Sequence, residues 1–200
     1  MRYVSVDLET TGLDPLKNDI IEFGAVLDDL KNPRPLEELP RFHAYICKEE
    51  YTGQPFALSM HPTIFRRIAE REEGYDYVYP NNLGKAFQTF LIKNGYVLEK
   101  DRIVRINVGG KNFASFDLQF LKNQTNFLNS VRISHKILDP GILCLEEDDE
   151  SIPCLRQCLE RVGIVKEVSH NTIDDAMDVV KVLRAKLGSV FVKWGHRVTQ

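Results

Sequence analysis

The chain opens MRYVSVDLETTGLDP (residues 1–15). Residues 2–9 are an apolar, β-branched run that reads as a strand, with two acids near its end. Strand side chains alternate, so Asp7 and Glu9 share one face while Val6 and Leu8 share the other. Two like charges about 4 Å apart repel by roughly 4 kcal/mol at an effective dielectric of 20. A first strand that carries this pair calls for something to neutralise it.

Outward from that strand, residues 10–19 (TTGLDPLKND) form a turn-rich loop, residues 20–30 (IIEFGAVLDDL) a second strand and residues 41–48 (RFHAYICK) a third, beyond a Pro-rich connection. Three strands in succession predict an antiparallel meander. The pattern then changes. Residues 62–71 and 83–94 read as helices, 102–110 as a fourth strand, 112–124 as a helix and 131–139 as a fifth strand. Residues 151–162 and 173–187 read as helices, the first with Pro153 near its start and Gly163 at its end. The expected fold is α/β, a mixed five-stranded sheet flanked by helices: an antiparallel meander of three strands, then two parallel strands.

With 200 residues, 43% of them hydrophobic and 28% charged, the chain suits one globular domain with a substantial core. The net charge of −3 excludes a whole-surface basic field, so a nucleic-acid partner would have to be gripped by a local patch and metal ions. None of the four cysteines forms a C-x-x-C pair or a zinc spacing. Cys154 and Cys158, four apart, read as reduced core thiols on one helix face, with a metal pair as the alternative. No basic-then-apolar leader and no run of membrane length is present, so a reducing, cytoplasmic location without a membrane partner is expected.

Two further segments carry acids in unusual places. In NFASFDLQFL (residues 112–121), a helical reading puts Phe113, Phe120 and Leu121 beside Asp117, within an apolar stripe where a lone carboxylate is costly. Asp117 is then either the rim of a buried face or a group that faces a cleft. In SHNTIDDAMDVVKVL (residues 169–183), Thr172 and Asp175 match a capping box, and His170 precedes the helix. Taken singly these acids have structural readings. Four acids that converge would need cations, and oxygen-only donors favour hard ions such as Mg²⁺ or Mn²⁺.

The three segments resemble, in order, the motifs of the DEDDh family of 3′→5′ exonucleases, which includes proofreading enzymes with a ribonuclease H-like fold. VDLETTG (residues 6–12) is similar to the first motif, NFASFDLQFL to the second and HNTIDDA (residues 170–176) to the third. In the family the histidine precedes the last aspartate by five positions, which selects Asp175 over Asp174. The resemblance spans residues 1–188 as an exonuclease domain and leaves residues 189–200 as a C-terminal tail. Residues 49–80, which in the family help shape the substrate groove, match no motif.

The resemblance implies hydrolysis assisted by two divalent cations, Mg²⁺ or Mn²⁺, at 3′ ends of single-stranded DNA or RNA, with release of nucleoside 5′-monophosphates. It implies that Asp7, Glu9, Asp117 and Asp175 hold the metals, with Asp7 shared between them, and that His170 is the general base. Backbone groups at Thr10 and Thr11 would meet the terminal sugar, Leu13 would wedge against the terminal base, and Asn112 would fix the second-motif loop, touch substrate or cap a helix. Lys111 reads as a solvated surface lysine or a phosphate contact. A polymerase or other processing partner fits a domain of this kind. The rival readings are a non-catalytic binding module on the same fold and a small-nucleotide hydrolase. Decay to a binding module would have removed motif residues, whereas all five motif positions are filled.

Overall fold

In a computed structural model, the structure describes residues 1–124, 126–166 and 171–195. Strands β1 (Arg2–Thr10), β2 (Ile20–Asp29) and β3 (Arg41–Ile46) form the antiparallel meander. Helices α1 (Pro55–Met60) and α2 (Pro62–Glu70) lead to β4 (Tyr77–Val78). After α3 (Pro80–Lys93) come β5 (Val104–Gly109), α4 (Asp117–Asn123), β6 (Val131–Leu138), α5 (Pro140–Leu143), α6 (Leu155–Arg161) and α7 (Thr172–Gly195). The sheet is six-stranded, in the order β4-β3-β2-β1-β5-β6, with β5 parallel to β1 and β6 parallel to β5.

The expected mixed sheet flanked by helices is present, with one correction. It has a sixth strand, β4, parallel to β3. Two residues are too short for a period-2 pattern to show, and they lie in the stretch that matched no motif. Helix α1 escaped notice for a related reason: six residues span less than two turns. At the other end, α7 runs to Gly195, well past the expected stop at residue 187 and into the segment set apart as a tail. Gly188 does not end it.

Alternation along β1 sorts the two faces. Val4, Val6 and Leu8 pack with Phe23, Ala25 and Leu27 of β2 against Leu83, Phe87 and Leu91 of α3 and Phe120 and Leu121 of α4. Tyr3, Ser5, Asp7 and Glu9 face the opposite way, towards α7. There Tyr3 and Val26 pack with Ala176, Val179, Val180 and Leu183. So the apolar half of the second face lies under the body of α7, and its acidic half lies under the start of that helix. Among the described residues, no helix is long and apolar enough to cross a membrane.

Two contacts fix α7 on this face. At one end Arg184 forms a forked pair with buried Asp28 of β2 (Nη2–Oδ1 2.6 Å, Nε–Oδ2 3.0 Å), and the Tyr3 hydroxyl donates to the same carboxylate (3.0 Å). At the other end Thr172 sits directly on Gly24. A Cβ on Gly24 would lie 2.4 Å from Thr172 Oγ1 and 2.6 Å from its backbone carbon. Only glycine lets the helix start approach β2 so closely, opposite Asp7 in the ladder. Gly24→Ala should therefore destabilise the protein by about 1–3 kcal/mol through overpacking. Gly188→Ala, in the same helix with open space around the added methyl, should stabilise it by about 0.5–1 kcal/mol. Chemical denaturation of the two variants should show these opposite signs.

Candidate active site

β1 and β5 are adjacent and parallel, so their carboxyl ends open on the same side of the sheet. Asp7 and Glu9 stand at that end of β1. A short loop after β5 leads into α4, whose first residue is Asp117. α7 delivers Asp175 from above. Carboxylate oxygens of Asp7, Glu9 and Asp175 all lie within 4.8 Å of one another. Asp117, 4% exposed, is outside that trio but close enough to act on the charge of Asp7.

Two local readings change. Asp117 is not in the middle of an apolar helix stripe. Residues 111–116 are turns, and Asp117 opens α4, with its carboxylate held by the backbone N–H groups of Asp117 and Leu8. Asp175 is not part of a capping box. The cap is Asn171, whose Oδ1 accepts from the N–H groups of Ile173 (3.1 Å) and Asp174 (3.2 Å). Asparagine caps as well as threonine does, so the Asp175 carboxylate turns to the cluster instead. His170 lies outside the described residues.

The electrostatics are those of acids forced together. Burial raises the pKa of Asp7 well above the usual range, reinforced by the charges of Asp117, Asp175, Glu9 and Glu22. Burial, then Glu22, Asp175 and Asp117, push Glu9 up to about 8. Burial lifts Asp117 to about 7 against its two backbone donors. Burial and Asp178 lift Asp175 to about 7, with Lys166 opposing.

The substrate-binding candidates divide. Thr10 and Thr11 are buried and committed to the loop: Thr10 Oγ1 donates to Gly12 O (2.8 Å), and Thr11 Oγ1 accepts from Asp19 N (2.8 Å). Leu13 is 73% exposed and free to meet a ligand. Asn112 caps no helix. It sits at φ 57° with its N–H donated to Asp139 (2.9 Å), and its Oδ1 accepts from Lys111. Lys111 is thereby partnered, contrary to its reading as a solvated surface lysine.

Three residues near the cluster had not been singled out. Glu22 of β2 is 1% exposed and faces Glu9 across the ladder, and His43 of β3 contacts it at 2.5 Å. His61, buried between α1 and α2, places Nε2 3.5 Å from Glu9 Oε2. Glu22 interrupts an apolar strand just as Asp7 does, so its sequence signal was visible. The signal of the two histidines was not, because it depends on register and on how α1 docks.

The donor set fits hard divalent cations: three carboxylates with oxygens within 4.8 Å and a fourth nearby, all raised in pKa by burial, and Asp7 and Glu9 also by the charges of the others. No family model matches the chain, and no curated protein matches it. Solved structures do. E. coli exonuclease I in complex with a dT13 oligonucleotide superposes with a TM-score of 0.61 at 16% identity, over 98% of this chain and 44% of that one. Exonuclease I from Methylocaldum szegediense gives 0.58 at 15%, over 98% and 43%. The catalytic unit of Neurospora crassa Pan2, protease and nuclease domain, gives 0.59 at 14%, over 98% and 28%. The chain thus spans less than half the length of these proteins, and at such identities the likeness establishes the fold, which is ribonuclease H-like.

The raised pKa values carry a sign. A carboxyl whose folded pKa lies above its unfolded value of about 4 binds more protons when folded, so its contribution to stability falls as pH rises between the two values. Without metal, the melting temperature should fall from about pH 4 to 8, the window spanned by Glu9, Asp117 and Asp175. Saturating Mn²⁺ should flatten the upper part of that profile. A flat profile in EDTA would contradict the repulsion.

Proposed function

We propose that this chain is a metal-dependent 3′→5′ exonuclease that removes nucleoside 5′-monophosphates from single-stranded DNA or RNA ends. The observation that carries the reading is the trio of Asp7, Glu9 and Asp175 oxygens within 4.8 Å, backed by buried Asp117, on this fold. That exonuclease I has been solved with single-stranded oligonucleotides supports the substrate class.

In this reading Asp7, Glu9 and Asp175 would hold one cation, and Asp7 with Asp117 a second. Bound Mg²⁺ or Mn²⁺ would supply Lewis acidity to the phosphodiester and acidify the attacking water. His170, five positions before Asp175, takes a proton from that water as its oxygen attacks phosphorus. The bond from phosphorus to the 3′-oxygen of the upstream nucleotide breaks, and that oxygen takes a proton from solvent. The terminal nucleotide therefore leaves with its 5′-phosphate. Exposed Leu13 packs on its base, while buried Thr10 and Thr11 hold the loop and offer backbone groups rather than hydroxyls. Free cysteines at positions 47, 144, 154 and 158 suit a reducing cytoplasm.

Size-resolved products from 5′-labelled DNA and RNA, run side by side, test this. The strand should shorten stepwise from its 3′ end in Mg²⁺ or Mn²⁺ and stay intact in EDTA, and a 3′-phosphate should slow it. Internal cuts or full activity in EDTA would defeat the reading. Asp7→Asn, Glu9→Gln and Asp175→Asn should each lose about a thousandfold in rate, several kcal/mol of transition-state stabilisation, while staying folded. A binding module would retain the strand uncut.

His170→Ala should lower kcat by about 10²–10⁴-fold. The wild-type rate should rise with pH through a histidine titration near 6.5, because the base acts unprotonated. The variant should lose that step. An unchanged kcat and pH profile would remove His170 from the mechanism.

A further inference from the structure

Glu22 has no part in the chemistry just described, yet it is an almost fully buried acid on the catalytic face. It is 1% exposed, paired in register with Glu9 on β1 and with Tyr45 on β3. It lies outside the trio whose oxygens approach within 4.8 Å. After burial, its charge is the largest influence that raises Glu9, and it also acts on Asp7 and Asp175. A fifth buried acid beside four others makes the metal-free protein less stable.

Its orientation is fixed from behind. His43 Nε2 and Glu22 Oε1 share a hydrogen bond at 2.5 Å. The His43 ring is itself held edge-on against Tyr45 (4.7 Å between centroids) and Tyr75 (5.9 Å). As a staple between β2 and β3 the pair would be redundant, because the ladder from Glu22–Tyr45 to Val26–Arg41 already joins them. A buried polar pair also adds little stability compared with apolar side chains of the same shape. Its value lies in negative charge, held behind Glu9 and aimed at the cluster.

We infer that Glu22, oriented by His43, is a positioning residue for divalent cations: a carboxylate that is not itself a ligand but raises the affinity of the Asp7–Glu9–Asp175 trio. The inference rests on the metal-dependent reading above. Partners one shell out from a metal typically change its affinity by about 10–100-fold when removed.

The test is thermal melting of the full chain in EDTA and across a Mn²⁺ titration, without nucleic acid. Glu22→Gln keeps the shape and removes the charge. Its metal-free melting temperature should equal or exceed that of the wild type, and its Mn²⁺ half-point should rise about tenfold or more. His43→Gln keeps an N–H donor to orient Glu22 but loses the ring packed against Tyr45 and Tyr75. Its metal-free melting temperature should fall, and its Mn²⁺ half-point should stay at or below the wild-type value. A structural staple predicts instead that both variants lose stability alike and leave the half-point alone. A Glu22→Gln half-point within twofold of wild type overturns the inference. Should that variant fail to fold, a raised half-point in His43→Gln overturns it. A wild type that Mn²⁺ does not stabilise at all overturns the metal reading itself, which separates the two failures.

Discussion

The mutual repulsion of buried carboxylates is the constraint around which this structure is arranged. Asp7 and Glu9 project from one face of a central strand, and the fold adds Asp175, Asp117 and Glu22 to the same region. Nothing in an apolar core favours that gathering. It persists because the surrounding contacts are strong and lie elsewhere. Tyr3, Val26 and the apolar face of α7 form one packed layer, and α3 and α4 form another on the far side of the sheet. The forked pair of Arg184 and Asp28 fixes the body of α7, and the notch at Gly24 sets how low its start can sit. The packing energy of both layers offsets a strained acidic corner that a cation can relieve.

Legibility followed physical range. Alternation within a strand is local, so the shared face of Asp7 and Glu9 could be read directly from residues 2–9. The order of elements was legible too, because strand and helix periods differ over five or more residues. Asp117 and Asp175 were found by residue type and spacing, but the local reasons attached to them did not hold. Asp117 opens α4 rather than interrupting it, and Asn171 rather than Thr172 caps α7. Turns and helix starts are governed by single hydrogen bonds, which a periodic pattern does not record. Glu22 needed one more step. Its neighbourhood to Glu9 follows only from the β1–β2 register, which is shifted by an irregularity between Glu9 and Thr10.

Residues 49–80 were opaque for a different reason. Their structure is imposed by docking rather than by pattern. Gln54 N–H donates to Thr11 O (2.7 Å), and Thr52 N–H and Lys48 Nζ both bind the Asp19 carboxylate (2.8 and 2.5 Å). These bonds lock α1 onto the loop that follows Glu9, and so carry His61 to within 3.5 Å of that acid. The same loop exposes Leu13, while Phe56 is exposed on α1 (73% and 77%). Thus the stretch with the weakest sequence signal supplies one wall beside the acids.

The acids also differ in what supports them, and this orders their behaviour. Asp117 begins a helix, and backbone N–H groups pull its pKa down against burial, to about 7. Asp175, in the first turn of α7, has Lys166 to oppose its acidic neighbours and stands near 7 as well. Asp7 projects from a strand, which provides no dipole, and no opposing group offsets its burial; Glu9 shares that position, at about 8. Near neutral pH a cation that enters competes with protons for these raised carboxyls, so its affinity should depend on pH. Both strand acids feel the charges of Asp117 and Asp175, so a cation placed between the strand and the two helices would relieve both at once.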